Sequence, residues 1–321
     1  MRITGKNILV TGGAGFIGSH VVDAIALEVP KNLIVVDNLF LGKEENLREA
    51  TKKFEDLKFI VEDSGNFTRM KSILEKYDID FVFNLAVVPL PKSLEEPAWT
   101  IAENVRITTN LCELGKQGFY KRLIHFSSSE AYGTAMYVPM NEDHPLIPST
   151  PYAASKVASD YIALSYFKTF GLETLIIRPF NNYGPRQNEG SYAGIIPVVI
   201  KKIKQGEPVE IFGDGEQTRD FLFVKETAKA TLELCQTEEA IGKIINLASG
   251  KEISVNYLVE KIIQIMNAKG YPIHHVEPRP GDVRRHCGGI RLANQLIGFE
   301  PKIELEEGLH ETIHWYLNEG T

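Results

Sequence analysis

A tyrosine and a lysine at helical spacing are the residues in this sequence best suited to proton transfer. Tyr152 and Lys156 are four positions apart, and Thr150-Pro151 before them is typical of a capped helix start. Residues four apart share one face of a helix. A lysine ammonium beside a phenol favours the phenolate, so we expect a lowered pKa for Tyr152 and a role as general base.

A hydroxyl-rich segment precedes this helix and completes a set that could oxidise an alcohol. Residues 127–129 are serines, Glu130 follows them, and the apolar run 123–126 before them predicts a strand. In such a set, Ser128 would hydrogen-bond the substrate oxygen and Tyr152 would take its proton. Lys156 would stabilise the phenolate and hold a ribose of the cofactor.

A glycine-rich turn near the start of the chain has the context of a dinucleotide site. Gly12, Gly15 and Gly18 lie between an apolar run, 7–10, and a segment with helical periodicity, 19–29. The glycines would permit a tight turn, a close approach of the backbone to a pyrophosphate, and packing of helix on strand. The amides at the helix N-terminus would face the phosphates.

An acidic residue at the end of the next predicted strand identifies the expected dinucleotide. Asp37 follows the run 33–36 and lies about 20 residues beyond the glycines, where a carboxylate bonds a ribose diol. The same carboxylate would repel a 2′-phosphate. The sequence therefore predicts NAD in preference to NADP.

Strand and helix patterns alternate through the first half of the chain, which predicts an α/β fold. The class is a Rossmann-type doubly wound parallel sheet, with NAD bound by residues 1–180. A smaller mixed α/β substrate domain is expected at 181–321, although its late strands could rejoin the main sheet. The further strands are predicted at 59–61, 81–85, 174–177, 209–212, 221–224 and 244–247. The further helices are predicted at 67–77, 99–117, 153–170, 195–204, 255–266 and 305–317.

Composition restricts the partners and the compartment. The net charge of −7 argues against nucleic acid and anionic membranes. The three cysteines are far apart, which predicts a reducing compartment without disulfides, and no metal-ligand cluster is evident. We expect a cytoplasmic protein, because the sequence shows neither a signal peptide nor a run of membrane length.

The glycines, the acid, the serine and the Tyr-Lys pair, in this order, resemble the extended short-chain dehydrogenase/reductases that act on nucleotide sugars. The resemblance to this epimerase and dehydratase family extends over essentially the whole chain, and it implies NAD, a nucleotide-sugar substrate with UDP favoured, and a homodimer formed by helices 99–117 and 151–170. The implied cofactor residues are Gly12, Gly15, Phe16, Ile17, Gly18, Asp37, Asn38, Asp63, Ser64, Leu85, Ala86, Tyr152 and Lys156. The implied substrate residues are Pro89, Asn181, Arg219, Arg279 and Asp282.

Members of that family share oxidation at sugar C4 and differ in the chemistry after that oxidation. The resemblance implies that Glu130 separates dehydratases and decarboxylases, which have a carboxylate there, from epimerases. Some dehydratases have Asp as the general acid where this chain has Ser129, so Ser128, Ser129, Glu130, Tyr152 and Lys156 form the predicted catalytic set and the general acid stays open.

The wider stretch 129–186 looks most like 4,6-dehydratases of the UDP-N-acetylglucosamine type, which is our prediction. A 4-epimerase is the first alternative. A UDP-glucuronate decarboxylase comes next, weakened because His286 falls where those enzymes usually have an arginine. A non-catalytic NAD sensor is disfavoured, because such proteins typically lose the tyrosine or the lysine. The proline-rich stretch 87–93 is expected to form a lid over the sugar.

Overall fold

The computed structural model describes residues 1–190, 193–278 and 281–319, so Arg279 lies outside the described residues. The strands are β1 (Asn7–Thr11), β2 (Asn32–Asp37), β3 (Lys58–Val61), β4 (Phe81–Asn84), β5 (Arg122–Phe126), β6 (Glu173–Pro179), β7 (Asn181–Tyr183), β8 (Val209–Phe212), β9 (Thr218–Arg219), β10 (Phe221–Phe223), β11 (Ile244–Leu247), β12 (Ile253–Ser254) and β13 (Ile273–Val276). The helices are α1 (Phe16–Leu27), α2 (Arg48–Lys53), α3 (Phe67–Tyr77), α4 (Leu90–Glu95), α5 (Pro97–Lys116), α6 (Pro151–Phe170), α7 (Ile195–Gln205), α8 (Val224–Gln236), α9 (Val255–Ile265), α10 (Arg291–Ile297) and α11 (Leu305–Asn318).

The main sheet has seven strands in the order β11-β6-β5-β4-β1-β2-β3, and every pairing in it is parallel. The chain order reverses between β1 and β4. In doubly wound sheets, ligands bind in the crevice at that reversal, beyond the carboxyl ends of the strands. The predicted Rossmann-type α/β class is confirmed.

The strands at the centre of the sheet are apolar because helices cover both faces. Strands β1, β4 and β5 are buried at every position. Such continuous burial is typical of parallel strands in α/β proteins. None of the helices in the described ranges combines the length and the apolar composition that crossing a membrane requires.

Helix α6 begins as its sequence predicts. The Thr150 side chain accepts a hydrogen bond from the Ala153 amide at 3.1 Å, and Pro151 occupies the first turn. The helix ends at Gly171, whose φ of 74° is left-handed and suits glycine. Its buried side includes Lys156 and Asp160, which therefore face the sheet.

Several elements after residue 180 return to the main sheet. Strand β11 pairs with β6, and α8 packs against α1. The predicted strand 221–224 is wrong at its end, because α8 begins at Val224. The other late helices, α7, α9 and α11, share an apolar core with the short strands β8 and β10. The division into two domains near residue 180 stays a prediction.

Candidate active site

The glycine turn between β1 and α1 brings three backbone segments into close contact. Gly12 has a φ of 68°, and a Cβ there would lie 2.6 Å from the Ala86 backbone nitrogen. A Cβ on Gly18 would lie 2.1 Å from the Gly12 carbonyl oxygen. Gly15 is the N-cap of α1 and leaves the amides of the first turn directed at the crevice. The turn therefore has the close packing that a pyrophosphate cradle needs.

Replacing Gly18 with alanine is expected to destabilise the protein by ~1–3 kcal/mol, because the new methyl group would overlap a backbone oxygen that cannot move freely. Gly15→Ala is the matched control, since its Cβ would lie 3.2 Å from the same oxygen. Thermal unfolding without added NAD should therefore show a larger loss for Gly18→Ala. Equal losses would contradict the packing role of Gly18.

The carboxylate of Asp37 joins the glycine turn to the loop that follows β2. It accepts hydrogen bonds from the Ala14 amide at 3.0 Å and from the Leu39 amide at 2.9 Å. Burial raises the pKa of this carboxyl, and the amide hydrogen bonds act against that rise. The Gly15 amide is a third donor, and a carboxylate has about four acceptor positions, so one stays available for a further donor. The residue is thus placed to accept hydrogen bonds from a diol at the end of β2.

A cavity of about 480 Å³ lies at the reversal point of the sheet, within the usual range for ligand sites. Every cofactor residue predicted from the sequence lines it, and Pro89 lines it too. The cavity is also lined by residues that the sequence did not assign to the cofactor: Phe40, Leu41, Gly42, Trp99, Glu103, Ile107, Phe126, Ser127 and Pro179. Three of these were detectable, because positions 99, 103 and 107 recur every four residues on one face of α5.

Asp63 is fixed by its neighbours on the cavity wall. Its carboxylate accepts hydrogen bonds from the Gly65 amide and from Arg106 of α5, both at 2.8 Å. Arg106 also contacts Glu103 and the Gly65 carbonyl. The predicted adenine-side acid therefore braces α5 against the loop after β3, while it still lines the cavity with Ser64.

The predicted redox residues meet at one end of the cavity. A hydrogen bond from Ser128 reaches Tyr152, and Tyr152 and Lys156 both line the cavity. The Lys156 ammonium donates to the Phe126 carbonyl. Ser128 also accepts a hydrogen bond from the Glu130 amide at 3.2 Å, which caps the 3₁₀ turn Ser129–Tyr132. The predicted catalytic set is therefore held by α6 and by the turn after β5.

The expectation of a lowered pKa for Tyr152 is wrong for the protein without ligands. Burial raises the pKa of Tyr152 to about 12, and the hydrogen bond with Ser128 only partly offsets that rise. Burial also lowers the pKa of Lys156 to about 8. The helical spacing places the two side chains on one face, but the lysine is directed to a backbone carbonyl and both groups are desolvated.

Glu130 is a half-buried carboxylate beside the tyrosine. Its amide donates to Ser128, which is hydrogen-bonded to Tyr152, and its negative charge raises the pKa of Tyr152. Burial raises the pKa of Glu130, Arg219 lowers it, and Asp282 raises it. Ser129 is only 3% exposed, so it is much less accessible to a ligand than Glu130. Glu130 is accordingly the better placed of the two for proton transfer.

The predicted substrate residues differ in what the structure shows of them. The Asn181 side-chain oxygen is buried and has no hydrogen-bond partner in the described part of the chain. Arg219 donates to the Thr218 and Val283 carbonyls at 2.9 and 2.7 Å and pairs with Asp282. Asp282 therefore lies against an arginine, and a phosphate approaching Arg219 would compete with it.

The stretch 87–93 is only partly a loop, because α4 begins at Leu90 with Pro89 as its N-cap. Asn104 of α5 anchors the first residues of this stretch. Asn104 belongs to no recognisable sequence motif. The Asn104 side chain accepts from the Val88 amide at 2.7 Å and donates to the Ser155 hydroxyl at 2.9 Å. One buried amide thus ties this segment to α6 beside Tyr152.

These features fit a bound dinucleotide. The glycine cradle has no room for side chains, the helix N-terminus faces the crevice, and the acid at the end of β2 can accept from a ribose. Tyr152 and Lys156 line the same cavity at its other end.

Comparison with known proteins agrees with this arrangement. Residues 9–312 match the family model described as GDP-mannose 4,6 dehydratase. The chain is 37% identical over 317 residues to a putative UDP-glucose 4-epimerase of Methanocaldococcus jannaschii, covering 97% of this chain and 98% of that one.

Two solved structures extend the agreement. The UDP-N-acetylglucosamine 4-epimerase of Methanobrevibacter ruminantium M1, in complex with UDP-N-acetylmuramic acid, is 37% identical with a TM-score of 0.90, over 98% of this chain and 99% of that one. The dTDP-glucose 4,6-dehydratase DesIV of Streptomyces venezuelae, with NAD bound, is 27% identical with a TM-score of 0.89, over 98% and 97%. The chain belongs to the NAD-dependent nucleotide-sugar epimerases and dehydratases of the short-chain dehydrogenase/reductase family.

Proposed function

We propose that the protein is a nucleotide-sugar 4,6-dehydratase acting on a UDP-sugar of the N-acetylglucosamine type. The observation that supports this choice is Glu130, a half-buried carboxylate whose charge acts on Tyr152 and whose pKa burial raises. A raised pKa makes a carboxylate a stronger base. A second base beside the redox centre is needed for dehydration and is superfluous for epimerisation.

The first step oxidises the alcohol at sugar C4. When bound, NAD would supply the hydride acceptor for this step and the hydride for the last one. Tyr152 accepts the hydroxyl proton. Ser128, which is hydrogen-bonded to Tyr152, orients the substrate oxygen. Lys156 holds a positive charge behind the phenolate. The product of this step is a 4-keto sugar, whose C5 hydrogen is acidic.

The second step removes water across C5 and C6. Glu130 abstracts the C5 proton, the C6–O bond breaks, and the C6 oxygen leaves as water after it gains a proton. Protonated Glu130 can supply that proton, and it is better placed to do so than Ser129, which is buried. The hydride then returns to C6 and a proton to C5, so the net change is the loss of one water.

The diphosphate is assigned to the segment around Asn181 and Arg219. The unpartnered side-chain oxygen of Asn181 requires a donor, such as a sugar hydroxyl, while its amide can donate to a phosphate. Arg219 can bond a phosphate bidentately once Asp282 yields its place. The UDP moiety is favoured because both 37% identical relatives are named as acting on UDP-sugars.

A 4-epimerase is the second candidate, because those same relatives are named 4-epimerases. An epimerase would oxidise C4 with the same residues and return the hydride to the other face of the ketone. A decarboxylase is less compatible with the site. Burial lowers the pKa of His286 to about 3, so this imidazole is neutral and supplies no positive charge to a sugar carboxylate.

The homodimer stays a prediction. Exposed apolar side chains on α5 and α6, Ile101 and Tyr161, are compatible with pairing of these two helices between subunits.

Mass spectrometry of the products from a panel of UDP-, dTDP- and GDP-sugars tests the proposal. We expect one UDP-hexose to lose water, with no NAD consumed. A new isomer of unchanged mass would replace the dehydratase with the epimerase, and loss of carbon dioxide would support the decarboxylase. Absence of any product would favour a non-catalytic NAD-binding protein.

A further inference from the structure

A buried group of polar side chains lies directly behind the redox centre. Asp160 of α6 is fully buried, and its carboxylate accepts from Arg178 at 2.5 Å and from the Ser127 hydroxyl at 2.7 Å. Arg178 is fully buried too, and its guanidinium lies 4.5 Å from the centre of the Tyr132 ring. Neither Asp160 nor Arg178 reaches the cavity, and the proposed reaction does not use them directly.

Asp160 continues the face of α6 that carries the catalytic pair. Tyr152, Lys156 and Asp160 follow one another at intervals of four residues, so they form one row along the helix. Burial lowers the pKa of Lys156 to about 8, and the charge of Asp160 raises it. A buried ammonium with a pKa so close to neutrality depends on any anion that offsets its desolvation.

The other titratable groups on the elements around this part of α6 are less suited to offset that desolvation. They are Tyr152, His125 of β5, Arg178 of β6, Glu130 of the 3₁₀ turn, Glu103 of α5 and Lys92 of α4. Burial lowers the pKa of His125 well below its usual value, so it is neutral. Glu103 pairs with Arg106, and Lys92 pairs with Glu96 at 2.7 Å. Asp160 is the carboxylate whose charge acts on Lys156.

We propose that Asp160 is a positioning residue that acts through Lys156: its carboxylate, held by Arg178 and Ser127, keeps the Lys156 ammonium charged in a site that excludes water. The proposal rests on the proposed redox role of Tyr152 and Lys156. It does not depend on whether dehydration or epimerisation is the later step. Arg178 and Ser127 hold the Asp160 carboxylate in place, because each donates a hydrogen bond to it.

The test is a titration of Lys156 itself in the NAD-bound protein. Lysine labelled with ¹³C at Cε reports the charge of each ammonium by NMR, and the signal lost in Lys156→Met identifies Lys156. Lys156 is charged below its pKa, and removal of a nearby anion lowers that pKa. Asp160→Asn should therefore move the midpoint of Lys156 downward by about one unit or more. The alkaline limb of the kcat profile should move downward with it.

Asp160→Asn leaves the buried guanidinium of Arg178 unpaired, which can unfold the protein. The double variant Asp160→Asn/Arg178→Gln removes that charge as well, and it should keep the downward shift. Ser127→Ala removes one hydrogen bond but leaves the charge of Asp160, so its Lys156 midpoint should stay near that of the wild type.

An unchanged Lys156 midpoint in the double variant would overturn the proposal. A shift equally large in Ser127→Ala would also overturn it, because the effect would then come from local packing. If the midpoint shifts as expected but no nucleotide sugar is turned over, the proposed function fails while the role of Asp160 stands.

Discussion

Tyr152→Phe is expected to lower kcat by about 10²- to 10⁴-fold, the usual contribution of a positioned general base. The substitution removes only the phenolic oxygen, at a position where Ser128 and Lys156 remain in place. No NADH absorbance should appear when the nucleotide sugar is added, because oxidation at C4 cannot begin without removal of the hydroxyl proton. NAD should stay bound, since the glycine turn and Asp37 are untouched.

The measurements are kcat, the appearance of NADH at the active site, and the NAD content of the purified variant. Tyr257→Phe is the control, because Tyr257 of α9 is 47% exposed and is not among the residues that line the cavity. Its kcat should equal that of the wild type. Activity of Tyr152→Phe near the wild-type value would refute the base, and loss of NAD would indicate a structural effect instead.

The Tyr-Lys pair also shows where local sequence patterns stop being sufficient. The spacing, the proline and the capping threonine correctly predicted α6 and the shared face of its side chains. The pKa depends on burial and on which acceptor the lysine reaches. Both are set by β5 and by the turn after it, whose contacts with α6 the sequence pattern does not contain.

The fold shows the same difference between features set by local sequence patterns and features set by contacts between distant segments. Elements with a clear period were predicted within a few residues, as α3 and β8 illustrate. Helix α8 was missed, and its first residue, Val224, was assigned to the strand because it continues the apolar run of β10. The pairing of β11 with β6 joins segments about 70 residues apart, and only tertiary packing decides such a neighbour.

In the site, residues that belong to a continuous motif were predictable, and residues that act through long-range contacts were not. The glycine turn and Asp37 line the cavity as the sequence indicated. Asn104 and Asp160 carry no motif of their own; their importance follows from contacts with Val88, Ser155 and Arg178. The pairing of Arg219 with Asp282 likewise joins two segments that the sequence assigned independently to the substrate.

Glu130→Gln is expected to separate the two halves of the proposed reaction. The amide has nearly the same shape as the carboxylate, but it cannot take a proton from C5. Net formation of the dehydrated sugar should fall by about 10²- to 10⁴-fold. Oxidation at C4 should survive, because Ser128, Tyr152 and Lys156 are intact, so NADH should appear when substrate is added. This is the opposite of the result expected for Tyr152→Phe.

Solvent deuterium tests the assignment at the reacting atom. In D₂O the wild type should introduce deuterium at sugar C5, because the proton that Glu130 removes leaves with the C6 oxygen and the one later delivered to C5 comes from solvent. Glu130→Gln should introduce none, and Glu130→Asp, which keeps a shorter carboxylate, should retain part of the exchange. Since an epimerase needs no base at C5, unchanged net turnover by Glu130→Gln would show that the second half of the reaction is hydride return to C4, and the dehydratase assignment would fall.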